Sequence, residues 1–456
     1  MSRDAVTPRR PAPRAPPGTG PPPLLAAPPE HGRPSTDEPG EGRPGAPLPE
    51  VSWREMAAAL RVPAFAWYWA AQLLSGIGTW SQSIAQAWLV LDMTRSAVDL
   101  GTITMLQFLP MLLLSLLGGV VADRLARRRL LIGTQVALTA EALALGLLVA
   151  FHVVALWEIG LLALALGTTN ALNNPAQQAF VPELVDRPLV ANAVALNSVQ
   201  FNTARMAGGA VGGLAVATWG ISGALFFNAA TFLPIVGVLL WIRPAHPPAR
   251  RPDTGTSALA ELRQGLAYAW STLPIRRVVA LFGVIGLLGF NWQVAVPLVA
   301  RFSLHRSVTG FGDLMAALGA GSLVGAVALA RDRRATERRL AAGGLGLGAV
   351  LVALGISHQY WLGLLLLFAG GAAGIVASIT ANTLLQLLAR DDLRGRVMGI
   401  YVLLMGGTTP LGALLLGELA GHFGLETALV AFGATTAAVV GAIAVHRRRR
   451  SALGAP

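Results

Sequence analysis

GGVVADRLARRRLL, residues 118–131, is the stretch on which the fold turns. An apolar run ends in one aspartate and four arginines packed into residues 123–129, and the chain then turns apolar again. A surface loop of a soluble domain would not have an uninterrupted apolar run on each side. A short turn between two membrane-crossing helices would. Arginine at bilayer depth is costly, and arginine beside a span resists translocation and so holds the turn in the cytoplasm.

The rest of the chain repeats this alternation. Of 456 residues, 54% are hydrophobic and 13% charged, with a mean hydropathy of +0.58. Soluble domains carry about 25% charged residues. Apolar runs recur from residue 65 to residue 445, each long enough for a span of roughly 20 residues. Lipid offers the backbone no hydrogen-bond partner, so the spans must be helices. The expected fold is an all-α polytopic membrane protein with twelve transmembrane helices in two six-helix bundles. They are placed near 65–91, 98–122, 130–151, 155–178, 190–217, 222–242, 276–300, 308–330, 339–357, 361–388, 395–420 and 425–446.

Arginine placement orients these spans. All 35 basic residues are arginine. With the N-terminus in the cytoplasm, the inward loops hold Arg124, Arg127, Arg128 and Arg129, then Arg187, then Arg243, Arg250 and Arg251. They continue with Arg331, Arg333, Arg334, Arg338 and Arg339, then Arg390 and Arg394, and the tail adds Arg447 to Arg450. The outward loops hold Arg95, Arg301 and Arg306. By the positive-inside rule both termini are expected in the cytoplasm. The net charge of +12 is thereby explained by topology and does not point to nucleic acid.

Residues 1–54 are expected to form a disordered cytoplasmic tail: residues 1–50 hold 15 of the 29 prolines, too little apolar surface to fold. An N-terminal bundle over 55–243, a cytoplasmic linker over 244–275, a C-terminal bundle over 276–446 and a basic tail over 447–456 complete the expected organisation. In the linker, Leu259, Leu262, Leu266, Ala269 and Trp270 share one face, the pattern of an interfacial amphipathic helix. The halves resemble each other under a shift of 204 residues, which brings Asn174 onto Ser378, Gln178 onto Asn382, Gly213 onto Gly417 and Gly220 onto Gly424. An internal repeat in a membrane protein points to a transporter with its site between the halves.

Polar residues inside the spans form stripes. Span 1 carries Gln72, Ser75, Thr79, Gln82, Ser83 and Gln86 in steps of three and four. Span 4 carries Asn170, Asn173, Asn174 and Gln177, span 7 carries Asn291 and Gln293 around Trp292, and span 10 carries Ser378, Asn382 and Gln386. Such amides either bond one another between helices, at about 0.6 kcal/mol per contact, or line a wet cavity. Their recurrence on every third span favours a shared substrate cavity. Two charges lie deeper: Glu141 in span 3 and Arg205 in span 5. Each must find a partner, reach water or, for Glu141, hold a proton. They are candidates for proton coupling, with a structural pairing to each other or to a polar neighbour as the alternative. Gly208, Gly209, Gly212 and Gly213 on span 5 permit close helix packing or a bend.

Other chemistries are excluded by what is missing. Without lysine there is no Walker A loop; without cysteine there is no disulfide or thiolate site. The seven histidines show no metal-ligand spacing. No catalytic residue, metal or cofactor is assigned, and the chain is not expected to be an enzyme.

GVVADRLARR, residues 119–128, resembles the turn between helices 2 and 3 of the major facilitator superfamily, with Gly119, Asp123, Arg124, Arg127 and Arg128 matching and Ala126 replacing the usual glycine. The segment around Gly208, Gly212 and Gly213 resembles the superfamily's antiporter motif, with Gly209 where proline is usual. FVPELVDRPLVANAVALNSVQF (180–201) and LLARDDLRGRVMGIY (387–401) are similar to the enterobactin and multidrug exporter branch. The resemblance covers about residues 55–446. It implies two bundles around a cavity lined by helices 1, 4, 7 and 10, alternating access, and export of a drug, siderophore or secondary metabolite driven by protons. Span 1 lacks the mid-helix acid through which some members couple protons. The resemblance also assigns the turn a gating role: Asp123 meets a helix N-terminus near Arg396 across the bundle interface, the alternative being a surface pair with Arg124. The expected partners are a small-molecule substrate, protons and the bilayer of a bacterial plasma (inner) membrane, with no nucleic acid and a monomeric state. Uptake on the same fold, or a non-transporting scaffold or sensor, are the rival readings.

Overall fold

The structure, a computed structural model, describes the backbone of residues 57–124, 126–242, 258–331 and 335–452, and the side chains within them except 57, 115–124, 258–262, 330–331 and 446–452. The N-terminal tail, the first part of the linker, and the side chains of Gly119, Asp123 and Arg124 thus lie outside the described residues.

Every regular element among the described residues is helical. The first half holds α1 (Pro63–Thr94), α2 (Ala97–Arg124), α3 (Arg127–Ala150), α4 (Leu156–Phe180) and α5 (Val190–Trp241). After the linker helix α6 (Ala258–Ser271) come α7 (Leu273–Val284), α8 (Trp292–Leu298), α9 (Val308–Arg331), α10 (Glu337–Ile356) and α11 (Tyr360–Leu388). The second half closes with α12 (Arg394–Gly407), α13 (Thr409–Phe423) and α14 (Leu425–Ala452). Among the described residues nine helical stretches are long and apolar enough to cross a bilayer. One of them, Arg187–Trp241, runs 55 residues, more than twice a single crossing.

That long stretch turns at Gly220, where φ is 74° and ψ 176°. A side chain is not tolerated in this backbone region, which only glycine visits freely. Gly424, between α13 and α14, has φ 85° and ψ 151°. Gly220 and Gly424 are the pair that the 204-residue shift superposes, so the repeat seen in sequence returns as the same reversal of the chain in each half.

Two other segments depart from simple spans. Between α7 and α8 the chain widens into a π turn over Ile285–Gly289 and leaves helical geometry at Asn291 (φ −85°, ψ 39°). The Asn291 side chain donates to Leu287 O at 2.6 Å, occupying a carbonyl that the break leaves free. Between α12 and α13 the break falls at Thr408, just before Pro410, whose missing N–H cannot continue the ladder. Both interruptions border the central cavity described below.

Glycines bring the halves together. Gly208 and Gly212 face α1: a Cβ there would lie 2.5 Å from Trp80 Cβ and 2.8 Å from Ser81 Cα. Gly209 and Gly213 face α9 in the other half, where a Cβ would lie 3.1 Å from Met315 Cβ and 3.0 Å from Val308 O. Gly312 of α9 completes this contact, its hypothetical Cβ only 2.6 Å from Gly209 O. The span-5 glycines therefore serve packing on two faces of one helix; the bend of α5 lies further on, at Gly220. The second seam joins α2 to α13, with Gly101 and Gly417 in the equivalent close approach. Gly213 and Gly417 are again related by the shift of 204.

Candidate functional site

A cavity of about 190 Å³ lies between the two halves. The interrupted helices and the glycine-rich face of α11 shape it. Phe290 and Trp292 enter it from the break between α7 and α8, and Gly370, Gly371 and Gly374 of α11 form the facing wall. A Cβ on Gly370 would lie 3.2 Å from Trp292 Cη2, so the wall is bare where the indole lies against it. Trp80 and Phe108 add aromatic surface from the first half, and Met315, Leu318, Ile375 and Met405 add flexible or branched apolar surface. The polar groups are Arg205, Gln293, Ser322, Ser378 and Thr409; none of the lining residues is acidic. Ser378 is within 2.9 Å of the Tyr401 hydroxyl, and that ring stacks on Phe282 with centroids 5.1 Å apart. A mainly apolar, aromatic wall with a few placed polar groups is the usual form of a small-molecule site.

Of the polar stripes, Gln293 and Ser378 reach this wall. Gln86 and Gln293 border a smaller neighbouring cavity with Ser83 and Gln107, where Gln86 Nε2 donates to Gln107 Oε1 at 3.5 Å. Others hold helices together. Gln72 accepts from Gln200 through its backbone carbonyl at 2.9 Å. Asn173 accepts from Thr134 at 2.9 Å and from Gln135 at 3.5 Å, joining α4 to α3. Thr79 donates to its own helix at Ser75 O, and Gln386 donates to Asn382 one turn earlier at 2.5 Å. Asn291 keeps its Oδ1 buried and without a hydrogen-bond partner among the described residues. Asn170, Asn174 and Gln177 are half-buried on α4. Helical spacing marks one face of a helix, but not whether that face meets a neighbour or a void.

Glu141 is 7% exposed and sits in a chain of side chains linking three helices. Gln82 Nε2 of α1 donates to both carboxyl oxygens, at 3.1 and 2.9 Å. Asn228 Nδ2 of α5 donates to Gln82 Oε1 at 2.6 Å, and Thr231 donates to Asn228 Oδ1 at 3.2 Å. Gly78 makes this approach possible: a Cβ there would stand 2.5 Å from Asn228 Oδ1. Arg205 is elsewhere, with Nη2 donating to Asn202 at 3.2 Å. The two charges are thus not each other's partners.

Arg127 and Arg128 of the basic turn each contact residues of the first half. Arg127 forms an ion pair with Glu183, itself 7% exposed, and donates to Ala179 O at 3.4 Å. Arg128 donates to Leu239 O and Leu240 O, carbonyls of the last turn of α5, where partial negative charge collects and a cation is favoured. Replacing Arg127 by Ala would leave Glu183 buried without its cation. Removing one member of a buried pair costs about 3–5 kcal/mol, so Arg127→Ala is expected to lower the midpoint of thermal unfolding of the detergent-solubilised protein. The double variant Arg127→Ala/Glu183→Gln should recover much of that loss. If the single variant melts with the parent, the pair contributes nothing.

At the end that carries Arg95, Arg301 and Arg306, the halves are also clasped by side chains. Arg301 pairs with Asp92 at 3.1 Å and lies 4.9 Å over the Trp88 ring, and Trp88 stacks on Phe311 at 6.3 Å. Asp92 is 60% exposed, so the ion pair is worth under about 1 kcal/mol.

Several of these residues have little signature in the sequence. Asn228, the one amide in the run LFFNAATFL, carried a signal in its polarity. Gln107 carried a weaker one. Phe108, Met315 and Met405 carried none, because an apolar residue facing a cavity and one facing lipid look alike in sequence.

Comparison with known proteins agrees with this architecture. The chain is 28% identical over 372 residues to the multidrug efflux pump Tap of Mycolicibacterium fortuitum, spanning 79% of this chain and 90% of that one. It is 24% identical to the staphyloferrin A transporter of Staphylococcus aureus, over 81% of this chain and 93% of that one, and 26% identical to the enterobactin exporter EntS of Escherichia coli, over 81% and 88%. Among solved structures, the nucleoside transporter NupG superposes with a TM-score of 0.69 at 11% identity, covering 84% of this chain and 98% of that one. A bacterial homologue of the lysosomal transporter Spinster, inward-facing and occupied, superposes at 0.67 with 13% identity, over 85% and 97%. The transmembrane secretion effector family matches residues 55–454, and the chain, a multi-pass membrane transporter by fold and kinship, belongs to that family of the major facilitator superfamily.

Proposed function

We propose that the protein exports a small organic molecule from the cytoplasm in exchange for protons, by alternating access around the central cavity. The substrate class is drugs, siderophores or related secondary metabolites, a reading supported by the names of the relatives Tap, EntS and the staphyloferrin A transporter. Twelve crossings follow if the stretch Arg187–Trp241 counts as two about Gly220, and if α1 and α4, made less apolar by their amide stripes, count as spans. The two bundles then meet over the cavity, the basic turns face the cytoplasm of a bacterial inner membrane, and both termini lie inside.

The observation that carries the reading is the buried Glu141 carboxyl on its amide relay through Gln82 and Asn228. A carboxyl at bilayer depth is costly to keep charged and has ready use as a proton carrier. Gln82 belongs to α1, which also supplies Trp80 to the cavity wall. A change of protonation at Glu141 therefore acts on a helix that touches substrate. The breaks at Asn291 and Thr408 supply places where the second half can flex.

Inverted membrane vesicles loaded with the protein test direction and coupling together. With an acidic lumen, a dye substrate is expected to accumulate inside and to leave when a protonophore collapses the gradient. Accumulation only under the opposite gradient would make the protein an importer. No gradient-dependent movement of any dye in a broad panel would leave a scaffold or sensor.

A further inference from the structure

Arg205 lines the central cavity. A guanidinium presents five N–H donors in a planar fork. Among the described residues one contact is seen, from Nη2 to the neutral Asn202 on the same helix. Its Nε is shielded from solvent and has no hydrogen-bond partner. Among the described residues no acid lines the cavity, and the two buried acids of this half are engaged elsewhere, Glu141 by Gln82 and Glu183 by Arg127. Among the described residues the cation therefore has no counter-ion at bilayer depth, an arrangement that is costly until an anion or water enters. Around it, Trp80, Phe108, Phe290 and Trp292 offer wide apolar faces. Ser378 and Gln293, also on the wall, are polar groups without charge.

We infer that the cavity takes organic anions: molecules with an aromatic or similarly apolar body bearing a carboxylate-type group, which Arg205 holds by charge-assisted hydrogen bonds. This deepens the transporter reading and rests on it. Arginine suits the task because its fork meets both oxygens of a planar carboxylate, which lysine cannot reproduce as well. Arg205 thus has a specificity role: it selects charge sign, while the aromatic wall tolerates many bodies. A cationic molecule of the same size would meet like charge with no acid to offset it.

The full-length protein in lipid nanodiscs, titrated with 1-naphthoate and with 1-naphthylmethylamine, tests this by quenching of tryptophan emission against empty nanodiscs. Naphthoate is expected to bind at least about tenfold tighter than the amine, and Arg205→Gln to weaken naphthoate about tenfold while leaving the amine no weaker. Arg205→Lys should retain the anion preference in reduced form, which separates lost charge from lost fold. Equal or tighter binding of the amine, unchanged naphthoate binding in Arg205→Gln, or no binding of naphthoate would each overturn the inference. The vesicle assay keeps the two readings apart. Dye movement with no anion preference leaves a transporter with another selectivity; naphthoate binding through Arg205 with no movement of any compound leaves an anion site on a protein that does not transport.

Discussion

Glu141→Gln is expected to abolish proton-driven accumulation while sparing exchange of substrate for substrate. Gln keeps the size of the side chain and an oxygen for the Gln82 amide, which now donates at 3.1 and 2.9 Å to the two carboxyl oxygens. At most one hydrogen bond is weakened, a loss of about 1 kcal/mol. The chemical capacity that disappears is the binding and release of a proton. One proton moving down a gradient of one pH unit supplies about 1.4 kcal/mol, enough for about tenfold accumulation of a neutral substrate. Accumulation in vesicles should therefore fall from about tenfold to none, with a flat dependence on pH, whereas counterflow, which needs no net proton movement, should persist. Retained accumulation with the parental pH profile would reduce Glu141 to a structural partner of Gln82. Loss of counterflow as well would point to a packing role, and Gly78→Ala, which pushes Thr231 and Asn228 away from α1 without touching the acid, is the comparison for that case.

Gly312→Leu should hold the halves apart at the Arg301 end. A Cβ at Gly312 would already meet Gly209 O at 2.6 Å and Gly213 Cα at 3.0 Å. These contacts are backbone on both sides, so no side chain can swing clear. Overpacking of this kind costs roughly 1–3 kcal/mol, which is roughly 5- to 150-fold in a two-state equilibrium. The cost falls on the state in which α5 and α9 touch, so the population moves toward the state in which they part. The chain contains no cysteine, so a single cysteine at Ser83, beside Gln86 and Gln107 in the smaller cavity, reports access directly. Its labelling by an impermeant thiol reagent added from outside is expected to rise at least about fivefold, with a matching fall in transport. Gly133→Leu is the control, because a Cβ at Gly133 meets nothing within 4 Å. Parental labelling and transport in Gly312→Leu would show that this seam does not open.

Helical class, the apolar runs and the repeat were legible from composition and spacing, because the bilayer imposes length and polarity on every crossing residue by residue. The reversals at Gly220 and Gly424 could be paired in advance for the same reason: a turn that only glycine permits leaves glycine in both copies. The amide stripes were visible as faces, yet spacing could not assign Gln293 and Ser378 to the wall, Asn173 to the α3–α4 contact or Gln82 to Glu141. Arg127 and Arg128 stood out as a basic turn, but their partners, Glu183 and the last carbonyls of α5, lie over 50 and over 110 residues away in sequence.

What the amino-acid order determined by itself was which segments are apolar enough to leave water, since each residue's transfer between water and lipid is a local quantity. Tertiary structure alone decided which glycines touch, which amides face a void, and that Arg205 and Glu141 stand apart. Those outcomes depend on distances between helices, and a distance between helices is a property of two sequences packed together that neither one contains.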